Sequence, residues 1–302
     1  MKRIHFALLA LAILSMTATG CKTTPKTTDA DSVSADTTEV AADTVTVDSI
    51  VYSAERDSTI TCYIRVEYPQ GDDSLATGIK EYIAQQLAAL YMPVNNLEPE
   101  QRHKYPLYKG NIQDVPKVVD YYGKGTMRYF AADQKQTMQE MEWGPEDAPR
   151  YSERIRISKN YETAKYVTYS ATDESYQGGA HGSYAYYYTN ISKLTHKVVD
   201  QTVDTTLARK PALQALLRKG ILQYMKDCGN EMKESELKNA LILPEDGYIP
   251  LPAHTPWLEK RGVCFTYQQY EIAPYAMGVI DFIIPYSTIK KFLCKEAQAL
   301  IE

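Results

Sequence analysis

The stretch Ser58–Tyr91, STITCYIRVEYPQGDDSLATGIKEYIAQQLAALY, changes its hydrophobic period partway along, and this change decides the type of fold. Its first part alternates apolar and polar residues, which predicts a half-buried strand. The inward residues are Ile60, Cys62, Ile64 and Val66. Its second part has apolar residues three or four apart, which predicts an amphipathic helix capped by Asp73. The helix face consists of Leu75, Ile79, Ile83, Leu87 and Leu90.

The same two periods recur along the rest of the chain. Helical patterns cover residues 115–141, 208–227 and 234–241, and a last helix is expected from Ser287. Strand patterns cover 154–176, as two strands around a turn near Asn160, and then 183–192, 262–270 and 278–286. Strands and helices are grouped rather than strictly alternating. We therefore predict an α+β fold with mainly antiparallel sheets, as one large domain or two intimate lobes.

The first residues predict where the protein resides. MKRIHFALLALAILSMTATG has a basic start and an apolar run too short to span a membrane, so residues 1–20 are typical of a signal peptide. Cys21 follows small residues and resembles the lipobox cysteine of bacterial lipoproteins. We expect it to be acylated, which anchors the chain in the cell envelope. Lys22 replaces the aspartate that retains some lipoproteins at the inner membrane, which favours the outer membrane.

Residues 21–50 predict a disordered tether, because they are rich in Thr, Asp, Ser, Ala and Val and contain no aromatic residue. Four triplets of Asp, then Ser or Thr, resemble a bacterial O-glycosylation sequon. The alternative is that a Thr/Asp-rich segment produces such triplets by chance. The sugar-bearing residues would be Ser32, Thr37, Thr44 and Ser49.

Composition argues against several classes of function. With 38 acidic and 33 basic residues the formal net charge is −5, which does not suggest nucleic acid, and the lipid would be the only membrane contact. After Cys21, none of the remaining cysteines has the spacing of a sulfur metal site. They could pair in three ways or serve as small buried hydrophobes. These four are Cys62, Cys228, Cys264 and Cys294. We predict no metal and no cofactor.

Tyrosine is unusually frequent, with 25 residues against 5 Phe and 2 Trp. In SYAYYYTN, residues 183–190, strand alternation places Tyr184, Tyr186 and Tyr188 on one face and Tyr187 on the other. Such a row offers flat apolar faces with polar tips, which suit a sugar or a protein partner. The alternative is that these tyrosines replace phenylalanine at the edge of the core.

The segment YQGGAHG, residues 176–182, raises the question of what His181 does. Gly178 and Gly179 permit backbone angles that other residues avoid, which favours a tight turn that anchors His181. Ligand contact and chemistry by His181 are the alternatives.

A second loop, QYEIAPYAMG at residues 269–278, is expected to be rigid. Ala273 must be extended before Pro274, and Gly278 can turn the chain. A rigid loop loses little entropy on binding, so its side chains are candidate ligand contacts. These are Tyr270, Glu271 and Tyr275.

These two segments carry a resemblance to a known family. The GGAH segment, the aromatic strand ending at Asn190 and the YEIAPYAMG segment resemble the extracytoplasmic domain of RsiV-type lysozyme-sensing anti-sigma factors and PdaC-type peptidoglycan deacetylases. The resemblance implies an α+β fold and, for RsiV-type members, lysozyme binding through surface loops. It suggests an N-terminal lobe at residues 51–200, with the GGAH segment, and an RsiV-like C-terminal lobe at 201–302.

These observations predict a cell-envelope lipoprotein with a non-enzymatic binding module. The expected partner is a lysozyme-like muramidase or a peptidoglycan-derived glycan, and the sequence holds no HExxH, GxSxG or P-loop motif. The alternative is a hydrolase or other enzyme acting on envelope glycan, with His181 and a carboxylate as acid/base pair. The predicted contact residues are Tyr270, Glu271, Tyr275, His181, Tyr184 and Tyr186.

Overall fold

The protein is represented by a computed structural model that describes residues 44–91 and 107–302. The predicted signal peptide, Cys21, Ser32 and Thr37 lie outside the described residues. Within them, the chain forms a five-stranded sheet, a three-stranded sheet and helices, so the predicted α+β fold class is confirmed.

The five-stranded sheet has its strands in chain order. They are β1 (Val47–Arg56), β2 (Ile60–Pro69), β3 (Tyr151–Glu162), β4 (Tyr166–Gln177) and β5 (Ser183–Ser192). β2 and β3 are parallel, whereas the other neighbours are antiparallel. A parallel pair needs a long crossover. Here the crossover contains α1 (Ser74–Tyr91) and α2 (Val115–Glu140), which cover one face of the sheet.

The change of period at residues 58–91 produces the predicted elements. β2 buries its alternate residues Ile60, Cys62, Ile64 and Val66. The last three form one cluster with Ile79, Ile83 and Leu87 of α1. The Asp73 carboxylate accepts hydrogen bonds from the backbone N–H groups of Leu75 and Ala76, both at 2.9 Å. These bonds satisfy helix N–H groups that have no partner within the helix.

The second half of the chain builds its own core. Its elements are α3 (Pro211–Asp227), α4 (Leu237–Ala240), β6 (Trp257–Glu259), β7 (Gly262–Tyr267), β8 (Ile280–Pro285), α5 (Tyr286–Ile289) and α6 (Lys295–Ile301). Leu213, Leu217 and Ile221 of α3 belong to one buried cluster with Phe265 and Phe282 of the three-stranded sheet. Among the described residues, none of the helices combines the length and apolarity that a membrane crossing requires.

The tether prediction was wrong at its C-terminal end, because β1 begins at Val47, inside the predicted tether of residues 21–50. β1 pairs with β2 over ten residues, and its Ile50 and Tyr52 pack on the core. An edge strand needs only one apolar face. Because most residues of its other face are polar, the composition of β1 resembles that of the polar segment before it. Ser49 thus lies exposed in a strand, and Thr44 lies exposed just before it.

Two other boundaries also differ from the predictions. The turn expected near Asn160 lies at residues 163–165, and Asn160 sits at an irregularity in the β3–β4 pairing. Its side chain accepts a hydrogen bond from the Ser170 hydroxyl at 2.7 Å, which keeps it inside the sheet. The last helix begins one residue before Ser287 but breaks around Leu293, whose backbone is extended, and resumes as α6.

The two sheets are joined at β5 through Asn190, which is 2% exposed. Its amide donates to the Thr168 hydroxyl at 2.9 Å and to the Leu258 carbonyl at 3.0 Å. Its carbonyl oxygen accepts from the Leu258 N–H at 2.5 Å. One side chain therefore completes the backbone hydrogen bonding of β6 from the neighbouring sheet.

Candidate binding site at two aromatic loops

The GGAH segment forms the turn between β4 and β5. Gly178 and Gly179 have φ values of 83° and 88°, in the left-handed region expected for them. The Tyr176 hydroxyl donates to the Gly179 carbonyl at 2.9 Å, and the exposed His181 donates from Nδ1 to the Gly182 carbonyl at 3.1 Å. The turn and the hydrogen-bonded histidine agree with the prediction from backbone geometry.

The second loop is held by its own carboxylate. Glu271 accepts hydrogen bonds from the backbone N–H groups of Gln268 at 2.8 Å and Ala253 at 2.5 Å. Both oxygens are therefore used inside the protein, and Glu271 positions the loop rather than presenting a free charge. Tyr270, at the tip, is 59% exposed and has a φ of 65°, which is uncommon for a bulky residue.

The structure brings the two loops together. The Tyr275 hydroxyl donates to the Gly182 carbonyl at 2.9 Å, a contact between residues 93 positions apart. The rings of His181 and Tyr275 stack, with centroids 3.9 Å apart and planes 21° apart. The Tyr270 ring lies 5.6 Å from that of Tyr275. Together with the neighbouring Tyr184, which is 40% exposed, these rings form what we call the aromatic loop surface.

Two glutamines at the start of the second loop, Gln268 just before it and Gln269 within it, fix β5 beside this surface. Gln268 accepts from the Tyr186 N–H at 3.3 Å and donates to the Tyr186 carbonyl at 2.8 Å. Gln269 accepts from the Tyr184 N–H at 3.4 Å. These bonds pair the loop with the edge of β5, so the aromatic loop surface rests on a regular strand.

The tyrosine row has two parts with different surroundings. Tyr184, Tyr186 and Tyr188 follow each other along one face at ring separations of 5.9 and 5.8 Å, as predicted. Burial, followed by the nearby Asp281 carboxylate, raises the pKa of Tyr186 far above its ordinary value. Tyr188 stacks on Trp257 at 4.3 Å. The row therefore fills the space between the two sheets, and only its Tyr184 end is exposed.

A polar groove of about 450 Å³ lies near Tyr184, at the same end of the five-stranded sheet. Arg154, Glu174, Tyr176 and Ser183 contribute to its lining. Glu174 is paired in register with Tyr184, and it accepts from Arg156 at 3.2 Å. The surroundings of the aromatic loop surface thus combine flat rings with hydrogen-bonding groups of both charges.

A carboxyl pair lies under α2. Glu153 on β3 is 8% exposed, and Asp173 projects from β4 on the same face of the sheet. Burial, followed by the neighbouring Asp173 carboxyl, raises the pKa of Glu153 far above its usual range. This pair was missed in the sequence, although Glu153 interrupts the apolar alternation of β3. His181 does not reach it, because four strand residues, roughly 13 Å, separate Asp173 from the turn.

The described residues provide no ready metal centre. In residues 44–91 and 107–302, no three His, Cys, Asp or Glu side chains are grouped closely enough to hold a metal ion. None of the four described cysteines is in a disulfide, and Cys62 and Cys264 are buried. Burial raises the pKa of each of these two thiols to about 12, which keeps them in the unreactive thiol form.

Another cavity, of about 1030 Å³, lies elsewhere. It is an open groove along the C-terminal half of α2, lined by Arg128, Lys135, Met138 and Trp143, among others. None of the predicted contact residues lines it, so it is separate from the aromatic loop surface.

Comparisons with known proteins place the fold in context. Residues 203–287 match the model of a family described as "Protein of unknown function (DUF3298)". This match includes the second loop and falls within the predicted C-terminal lobe. A search of curated proteins gives no match.

Two crystal structures are similar over most of the chain. A DUF3298 family member from Bacteroides fragilis NCTC 9343 is 20% identical, with a TM-score of 0.57, over 83% of this chain and 94% of that one. A DUF3298 family protein from Pseudomonas aeruginosa PAO1 is 13% identical, with a TM-score of 0.53, over 85% and 97%. At these identities the similarity concerns the fold.

Proposed function

We propose that the protein is a cell-envelope lipoprotein, anchored through Cys21, whose folded body is a non-enzymatic binding module. The aromatic loop surface is the proposed contact site. The proposed partner is a lysozyme-like muramidase, for which the protein acts as a protective decoy or inhibitor. A peptidoglycan-derived glycan is the second candidate, favoured by the polar groove beside Tyr184.

One observation supports this function most directly: two loops 93 residues apart in sequence meet in a single aromatic surface, in which Tyr270, Tyr184 and His181 are exposed. Each loop is already held by internal hydrogen bonds, so binding does not have to order it. Tyrosine at a surface site provides a large contact area together with a hydroxyl group. The unusual φ of Tyr270 adds support, since such backbone strain concentrates at functional sites.

The test is a calorimetric titration of the full-length protein, in a detergent without sugar headgroups, with lysozyme and separately with soluble muropeptides. We expect a dissociation constant of about 1 μM or tighter for lysozyme, roughly −8 kcal/mol. Tyr270→Asn should weaken binding about tenfold or more, because the ring is lost while asparagine tolerates the same backbone conformation.

The matched control is Leu194→Ala, which removes another exposed apolar side chain, 63% exposed, in the turn after β5. It should leave the affinity unchanged. An absence of heat with both ligands would contradict the proposed function. Binding of muropeptides alone would mean that the partner is the glycan and not the muramidase.

The alternative of an enzyme acting on envelope glycan has a separate test. An acid/base role for His181 requires that the protein turn over peptidoglycan fragments and that His181→Ala abolish the turnover. Turnover that persists in His181→Ala would exclude this histidine from the reaction. The stacking of His181 on Tyr275 favours the binding role, because the stacked ring is held as part of the surface.

A further inference from the structure

A third and smaller cavity lies where the two halves of the molecule meet. Its volume is about 230 Å³, and it is enclosed by α1, the end of β5, residues 198–200 and the 254–257 segment. Sites for drug-sized ligands are larger, at roughly 300–1,000 Å³. This cavity therefore has room for a single small ring.

Two buried donors in its lining have no hydrogen-bond partner of ordinary geometry. The hydroxyl of Tyr82, a residue 2% exposed, lies beside Thr189 without such a bond. The indole N–H of Trp257 also lacks a bond of ordinary geometry, and it lies beside the sulfur of Cys264, outside the lining. A buried donor without a partner costs roughly 1–3 kcal/mol, so the Tyr82 hydroxyl favours an acceptor oxygen placed in the cavity.

The other polar groups can both donate and accept hydrogen bonds. Gln85 and Gln86 of α1 contribute side-chain amides. His254 donates from Nε2 to the Tyr188 carbonyl at 3.2 Å, which leaves Nδ1 as an acceptor. Burial lowers the pKa of His254, so the ring is neutral. Among the described lining residues, Asp200 is the only carboxylic side chain, and the lining contains neither Lys nor Arg.

From this lining we infer that the cavity binds an uncharged, hydroxyl-rich small molecule, such as a monosaccharide or a cyclic polyol. Hydroxyl groups of the ligand can accept from Tyr82 and donate to Asp200 and the amides. A phosphate or carboxylate ligand would lie against Asp200 with no cation in the lining to offset the repulsion.

This inference goes beyond the proposed function and concerns a different place. None of the rings of the aromatic loop surface lines the cavity. Tyr184 and Tyr188 are four strand residues apart on β5, which corresponds to roughly 13 Å. Variants at Tyr270 therefore test one site and variants at Tyr82 the other.

The experiment uses the two tryptophans as an internal reporter. The full-length protein carrying Trp143→Phe retains Trp257 as its single tryptophan, in the cavity wall. Its fluorescence is titrated with N-acetylglucosamine and glucose, and with glucose 6-phosphate as the charged comparison. We expect a saturable change with at least one neutral sugar, at a dissociation constant of about 1 mM or below. Glucose 6-phosphate should bind at least tenfold more weakly.

Tyr82→Phe then removes only the hydroxyl. It should weaken sugar binding roughly five- to tenfold and leave the melting temperature of the free protein unchanged or higher. Gln86→Ala should also weaken binding, whereas Gln139→Ala, in the separate groove of α2, should not. No saturable signal with either neutral sugar, equal binding of glucose 6-phosphate, or an unchanged affinity in Tyr82→Phe would each overturn the inference.

Discussion

Glu153 occupies an inward position of β3, between Tyr151 and Ile155, where the neighbouring inward residues are apolar. A buried carboxyl group is costly when ionised, so it retains its proton. The Asp173 carboxyl lies beside that protonated group, and Cys62 faces Glu153 from β2. The pair is therefore a buried polar contact whose strength depends on pH.

The stability of the protein should fall as pH rises because of Glu153. In the unfolded chain this carboxyl group ionises near its ordinary pKa of 4.5, whereas the folded state raises its pKa. The folded state then holds one more proton above that pH, so stability decreases by up to about 1.4 kcal/mol per pH unit. The stability that protonated Glu153 contributes is fully present below pH 4.5. It is lost as the pH rises towards the raised pKa of the folded state. Melting temperatures between pH 5 and 9 measure this slope.

Glu153→Gln keeps the size and a donor but cannot ionise, so it should flatten the pH profile and raise the melting temperature at pH 8. Glu174→Gln, on the opposite face of the same sheet, serves as the control and should leave the slope as it is. If Glu153→Gln and the wild type have parallel profiles, the carboxyl pair does not determine the slope.

The packing of α3 on β8 shows how elements depend on one small residue. Gly220 lies in the middle of α3, and a Cβ at this position would overlap the ring of Phe282. Glycine normally weakens a helix interior by about 1 kcal/mol relative to alanine. Here glycine allows close approach of the helix to the sheet. The packing against Phe282 offsets the unfavourable helix propensity of glycine.

Gly220→Ala should therefore destabilise the protein by about 1–3 kcal/mol, because overpacking outweighs the gain in helix propensity. Chemical denaturation measures the change in the free energy of unfolding. The exposed neighbouring substitution Lys219→Ala should have little effect, and adding Phe282→Leu to Gly220→Ala should recover part of the loss. A Gly220→Ala protein that is more stable than the wild type would show that propensity dominates at this position.

The molecule as a whole depends on the junction at β5, where Asn190 supplies the hydrogen bonds of Leu258. Asn190→Ala leaves the Leu258 N–H and carbonyl without these partners in a buried position. We expect a loss of about 1–3 kcal/mol in the free energy of unfolding. The control is Asn230→Ala, an exposed asparagine after α3. If the two variants unfold at the same denaturant concentration, Asn190 does not hold the halves together.

Local patterns were sufficient to predict many of the elements. β2 and α1 follow from residues 58–91, because a half-buried strand and an amphipathic helix each repeat their apolar residues at a fixed period. The turn at Gly178 and Gly179 follows from the backbone freedom of glycine. β1 was missed because an edge strand with one polar face resembles a polar linker, and the last helix was predicted unbroken because its break at Leu293 has no local signal.

The sequence by itself determined the fold class, most helices and strands, and the two segments that form the aromatic loop surface, because periodicity and turn chemistry act over a few residues. Only the tertiary structure decided that these segments touch, through the bond from Tyr275 to Gly182. It also decided that Tyr186 lies between the two sheets, that Glu271 holds the second loop through hydrogen bonds, and that Glu153 and Asp173 are neighbours. These contacts join residues far apart in the chain, and their positions depend on sheet order and packing, which no short stretch of sequence encodes.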